Sequence, residues 1–244
     1  MKTLVIIPTY NERENIRDIV TRVRREDVDV LVADDASPDG TGAIADELAA
    51  ADPRVFVKHR AGKEGLGRAY IDAFGWGLAR DYTHLVEMDA DGSHRPEQLP
   101  LLLERAARAD LPDLVIGSRW VPGGEVVNWP WSRMFLSRAG NLYVRLWLGL
   151  PAADATAGFR VYRSEILRRI DFDTVGSSGY YFQVEMTRQA ALAGGVVVEV
   201  PISFIERERG TSKMSNAIVR EAMVRTTLLG ARHRWQQVRA ALRR

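Results

Sequence analysis

Short apolar runs alternate with helical stretches through the first half of this chain, and that alternation restricts the fold more than any other feature. Leu4-Val5-Ile6-Ile7 is a continuous apolar run closed by Pro8, the pattern of a strand buried on both faces. Ile16, Ile19, Val20 and Val23 then recur at helical spacing, with charges on the opposite face. Val28 to Ala33 reads as a second strand, and Thr41 to Ala50 as a short helix after the Asp39-Gly40 turn. Val55-Phe56-Val57, Thr83 to Met88 and Leu114-Val115-Ile116 read as further strands, with helices over Gly67 to Arg80 and Leu99 to Ala109. This order implies a mainly parallel sheet with helices on both faces. Ligands of such sheets sit beyond the carboxyl ends of the strands.

The distinctive polar clusters fall at those ends: Pro8-Thr9-Tyr10-Asn11-Glu12, Asp34-Asp35 and Asp89-Ala90-Asp91. The last is the most telling. Two carboxylates one residue apart, pushed out at a strand end, form a compact negative patch. Alone it would repel an anionic substrate. With a hard divalent cation between, Mg²⁺ or Mn²⁺, it becomes a clamp for a diphosphate. Gly92 then lets the chain turn tightly beside the ligand. A solvated acidic turn is the commoner fate of a lone Asp-x-Asp, but three clusters on one rim argue for a site.

The second half differs. Trp120 to Leu150 holds four of the six tryptophans, interleaved with arginines. Trp129 to Arg138 has amphipathic character suited to a membrane interface, or to a helix packed on the sheet. Val196 to Ile205 reads as one more strand, and Asn216 to Gly230 as a helix. Five arginines and no acid lie between Arg232 and Arg244, which reads as a frayed tail or as a contact with anionic lipid headgroups. The simplest organisation is a single domain over 1–230 followed by a basic tail over 231–244.

The formal net charge is only +2, so nucleic acid is not an expected partner. There is no cysteine, which excludes disulfides and thiolate metal sites. No apolar run reaches the ~20 residues of a membrane-spanning helix, and the start lacks the shape of a signal peptide. The expected location is cytoplasmic, or peripheral on the cytoplasmic face of a membrane. His84 and His94 have no second histidine at ligand spacing; His94 is expected to support the turn after Asp91.

Pro8-Thr9-Tyr10-Asn11-Glu12, Asp34 through Thr41, Lys63-Glu64-Gly65-Leu66-Gly67 and Met88 through His94 together resemble the inverting glycosyltransferases of family 2. Gly117-Ser118-Arg119-Trp120, Asn128-Trp129-Pro130, Gly158-Phe159-Arg160 and Arg209 through Lys213 are similar, more narrowly, to the dolichol- or polyprenol-phosphate mannosyltransferases. The match runs from Val5 to about Ser215. It implies an α/β GT-A fold, Rossmann-like, with a mainly parallel sheet flanked by helices and with peripheral amphipathic helices. It implies GDP-mannose as donor, a polyprenyl monophosphate as acceptor, and a divalent metal on Asp89 and Asp91. On the same resemblance Pro8, Tyr10, Glu12, Ala33 and Asp35 hold the nucleoside. Lys63, Ala90, Ser93, Arg209 and Lys213 join the donor side. Arg119, Arg133 and Ser137 take the acceptor phosphate, and Asp89, Asp91 and Arg119 carry the catalytic roles. Many relatives have glutamine where Ser93 stands; serine is shorter, and a water could bridge to the metal instead.

The chemistry needs little covalent help. A phosphate monoester is largely a dianion at neutral pH, with its second pKa near 6, and attacks without a strong general base. The protein's tasks are alignment and charge neutralisation. Gly210 is placed as a hinge or a simple turn, and Asp154 as a residue that orients a sugar hydroxyl or caps a following helix. The alternatives are a UDP-glucose donor for the same lipid, a lipid-independent transferase, and a nucleotide-binding membrane partner without turnover. A lipid acceptor calls either for direct docking through Trp129 to Leu150 or for a separate membrane-protein partner.

Overall fold

The apolar runs become the strands of one sheet. The computed structural model describes residues 1–176, 179, 181–206, 223, 224, 226–231 and 235. The early strands are β1 (Thr3–Thr9), β2 (Asp29–Asp34), β3 (Val55–His59), β4 (His84–Glu87) and β5 (Leu114–Ser118). Later come β6 (Glu125–Val127), β7 (Arg160–Arg163), β8 (Val197–Pro201) and β9 (Ser203–Ile205). Seven of them form a sheet in the order β3-β2-β1-β4-β7-β5-β8. Neighbours are parallel except β7, which runs antiparallel to both β4 and β5. The expected mainly parallel α/β architecture is therefore present.

Side chains of β1 alternate between two cores, as the period of a strand requires. Leu4 and Ile6 pack with Tyr70, Phe74 and Phe182 from α3 (Leu66–Leu78) and α7 (Phe182–Leu192). Val5 and Ile7 face the other way, onto Ile16 and Val20 of α1 (Ile16–Val23) and Leu99 and Leu102 of α4 (Leu99–Ala106). A Cβ at Gly77 would lie 2.6 Å from Leu85 Cδ2, so glycine lets α3 lie close on the sheet. Of the remaining helices, α2 (Thr41–Ala51) covers β3, and α6 (Ser164–Arg169) follows β7 directly.

One expectation is corrected. Val196 to Ile205 is not one strand. β8 ends at Pro201, which has no N–H for an onward ladder. The buried Ile202 then turns the chain so that β9 pairs in parallel with β6, outside the main sheet. The aromatic segment forms α5 (Trp131–Leu148), which starts after Pro130 and stops at Gly149, whose φ of 66° suits glycine. Residues 223–224 and 226–231 are helical; the rest of the predicted Asn216 to Gly230 helix, and the tail except Ala231 and Trp235, lie outside the described residues.

Candidate active site

The first rim loop is built by carboxylates that serve the backbone. Asp34 accepts from Thr9 Oγ1 at 2.9 Å, Ser37 Oγ at 2.6 Å and Ser37 N at 3.1 Å. Asp39 accepts from Thr41 and from the Arg13 N–H, while Thr41 Oγ1 accepts the Glu12 N–H at 3.0 Å. Burial raises the Asp39 carboxyl, but these hydrogen bonds hold it below the usual range. The loops after β1 and β2 are thus tied together. Asn11 and Ala36 take left-handed φ values of 60° and 54° there, strain of the kind held at functional loops. Asp35 is presented differently. It is buried, which raises its carboxyl, and the Arg60 guanidinium opposes that shift from direct contact. Lys63 Nζ sits 4.1 Å above the Tyr10 ring, joining the loop before α3 to the loop after β1. Pro8, Tyr10, Glu12, Ala33, Asp35 and Lys63 therefore share one end of the sheet.

The carboxylate loop follows β4. His94 is buried and accepts the Asp89 N–H on Nδ1 at 3.0 Å. That bond requires Nδ1 to be unprotonated, and burial lowers the imidazole's pKa. Asp91 Oδ1 accepts the Ser93 N–H at 3.0 Å. Ala90, between the carboxylates, is buried. A Cβ at Gly158 would lie 3.2 Å from His94 Cε1 and 3.7 Å from Asp89 Oδ2, so Gly158 leaves room for this loop. His94 supports the turn, as expected. Beneath it, burial pushes the Glu87 carboxyl up to about 8, against the opposing pull of Arg160. The buried Arg160 donates to the carbonyls of Ala155, Ala157 and Gln183.

An aromatic and cationic cluster lies on the other side of His94. Phe204 meets His94 edge-on at 5.6 Å and Trp129 at 5.5 Å; Trp129 meets Trp120 at 6.5 Å. Arg133 stacks on Trp129 at 4.0 Å and Arg138 on Trp120 at 4.8 Å. The Arg119 guanidinium lies 5.3 to 5.6 Å from Phe204, Trp129 and Trp120. Its Nε and Nη2 each donate to the Asp154 carboxylate at 2.7 Å. Asp154 is fully buried. It therefore neither meets a sugar nor caps a helix: it fixes Arg119, and β7 follows it. Burial raises the Asp154 carboxyl, but Arg119 outweighs that and holds it below the usual range. Asn141 of α5 donates to Thr156 at 2.9 Å, and Thr156 to Asp154 at 3.2 Å. The indole N–H groups of Trp120 and Trp129 are buried with no partner among the described residues.

The family model for glycosyl transferase family 2 matches residues 4–171. The chain is 58% identical, over 99% of both lengths, to undecaprenyl-phosphate mannosyltransferase of Micrococcus luteus. The chain belongs to glycosyltransferase family 2. It is also 56% identical to polyprenol monophosphomannose synthase of Mycolicibacterium smegmatis, over 99% of this chain and 92% of that protein. The fold of this family 2 chain matches solved GT-A structures at low identity. Glucosyl-3-phosphoglycerate synthase of Mycobacterium tuberculosis, solved with Mn²⁺, UDP-glucose and phosphoglyceric acid, gives a TM-score of 0.70 at 18% identity, covering 94% of this chain and 79% of that one. A mannosyltransferase from Pyrobaculum calidifontis with GDP-mannose and Mn²⁺ gives 0.59 at 18% identity, covering 96% and 64%.

Within this family 2 site the donor set suits a hard cation. Among the described residues no group of three or more His, Asp or Glu side chains could enclose a metal. Asp89 and Asp91 instead stand beside the buried Ser93 hydroxyl, which has no hydrogen-bond partner among the described residues. Two carboxylates suit Mg²⁺ or Mn²⁺, which keep water and substrate phosphate as further ligands. Arg133 and Ser137 share α5, while Arg209, Gly210 and Lys213 lie outside the described residues. Sequence reading missed Asp154's ion pair, Arg60, Glu206 and Arg138. None of these was marked by local spacing: Arg138 lies five residues from Arg133 on α5, off the i+3 and i+4 positions that share a helix face.

Proposed function

We propose that the enzyme transfers mannose from GDP-mannose to a polyprenyl (dolichyl-type) monophosphate, with inversion at the sugar. One observation carries the reading: a paired carboxylate loop and an arginine–tryptophan cluster meet across a single buried histidine, His94. The first suits a cation-bound diphosphate. The second suits another phosphate, because guanidinium forks bind it bidentately and two buried indole donors stand beside them. The names of the relatives support the lipid acceptor and the mannosyl group, and the GDP-mannose complex of a neighbour of the same fold supports the donor.

Asp89 and Asp91 would hold the divalent metal, which when bound would supply charge neutralisation for the leaving diphosphate. Pro8, Tyr10, Glu12, Ala33 and Asp35 hold the nucleoside, with Lys63 closing over Tyr10. Arg133 and Ser137 orient the acceptor phosphate, and Arg119, fixed by Asp154, offers the remaining edge of its guanidinium. A phosphate oxygen bonds to the anomeric carbon while the carbon–oxygen bond to the diphosphate breaks, its electron pair leaving with the diphosphate. Arg209 and Lys213 are assigned to the donor phosphates by resemblance alone.

No helix among the described residues is long and apolar enough to cross a membrane. Trp131 and Phe135 of α5 are 77% and 68% exposed, which supports peripheral docking on a membrane surface; the cytoplasmic face is assigned from the sequence reading alone. The test is sugar transfer to farnesyl monophosphate with Mg²⁺ and either GDP-mannose or UDP-glucose. Lipid-phase mannose, lost in Asp91→Ala, is the expected result; glucose transfer alone would overturn the donor.

A further inference from the structure

The three arginines of the acceptor cluster are neutralised differently. Arg119 is paired to Asp154, a carboxylate with no exposure. Arg138 has no acidic partner among the described residues. Arg133 donates from Nη1 to Glu206 Oε1 at 2.5 Å, and both side chains are only partly buried. Glu206 is placed there by the backbone, since its N–H donates to Val127 O at 3.2 Å and continues the β6–β9 pairing. A carboxylate thus engages one nitrogen of the Arg133 guanidinium, which stacks on Trp129.

We propose that Glu206 is a built-in competitor for the acceptor phosphate and sets the charge that a ligand must carry to enter. The inference rests on the reading of this cluster as the acceptor site. A carboxylate and a phosphate make the same demand on a guanidinium, two oxygens in one plane. A phosphate monoester carries about −1.5 to −2 charges at neutral pH and a third acceptor oxygen. It displaces Glu206 and gains Arg138 as well. A phosphodiester headgroup carries a single charge, gains nothing over the resident carboxylate, and is refused. The exposed face of α5 would bring the site against a surface rich in such diesters, so this discrimination keeps Arg133 available.

The test uses the full chain. KM for farnesyl monophosphate, KM for GDP-mannose and inhibition by phosphatidylglycerol vesicles are measured for wild type, Glu206→Gln, Glu206→Asp and Arg133→Gln, with thermal melts to confirm folding. Glu206→Gln is expected to lower the acceptor KM about two- to fivefold, the worth of a part-exposed ion pair. It should leave the donor KM in place and make the vesicles inhibitory. Glu206→Asp, whose shorter carboxylate withdraws from Arg133, should fall between. A raised acceptor KM in Glu206→Gln would show that Glu206 positions Arg133 rather than competing with phosphate. An unchanged KM and unchanged inhibition would equally overturn the proposal. An acceptor KM that Arg133→Gln leaves unmoved would instead overturn the acceptor-site reading itself.

Discussion

Asp154 is the carboxylate on which the cationic side of the site depends. Removing one partner of a buried pair leaves the other charge stranded, which costs about 3–5 kcal/mol. Asp154→Asn should therefore lose at least about 3 kcal/mol of unfolding free energy in urea, and its acceptor KM should rise while the donor KM holds. The pH dependence has a definite sign. The folded pKa of Asp154 is depressed, so its contribution is present above the unfolded value near 4 and is lost as pH falls through the folded value. That part of the acid limb should disappear in Asp154→Asn. The carboxylate pair Asp89 and Asp91 was visible in the sequence as a candidate because the two sit together at a strand end. Asp154 was visible only as a candidate, because its partner Arg119 lies 35 residues away and no local pattern joins them.

At the scale of elements, legibility followed burial. Strands covered on both faces are written as apolar runs, and β1 through β5 were read from them. β7 was missed because Arg160-Val161-Tyr162-Arg163 begins and ends with charge; Arg160 is tolerated inside because backbone carbonyls surround it. β6 and β9, three residues each, are too short to show a period. The link between β5 and β6 is tight: a Cβ at Gly124 would lie 2.5 Å from Ser118 O and 2.9 Å from Arg119 O. Backbone cannot yield as a flexible side chain does. Gly124→Ala should cost about 2 kcal/mol or more by overpacking, and should displace Arg119. Thermal melts and the acceptor KM check both effects.

For the whole molecule, the decisive surface is α5. Its inner side chain Asn141 is buried against Thr156, while Trp131, Phe135 and Leu142 are exposed. A patch of this kind marks an interaction surface. Trp131→Glu with Phe135→Glu should abolish co-sedimentation with anionic vesicles and leave the melting temperature within a few degrees, since neither ring supports the core. The order of the strands also predicts an order of assembly. Residues up to Glu87 suffice for β1 to β4, which are adjacent in the sheet, and the loops after β1 and β2 can form from local contacts. The arginine–tryptophan side needs β7, which runs in reverse between β4 and β5, and then β9 to find β6 across a long stretch of chain. Loop closure of that length is slow, so the part of the sheet beside the Arg119 cluster should be the last to form in a refolding experiment.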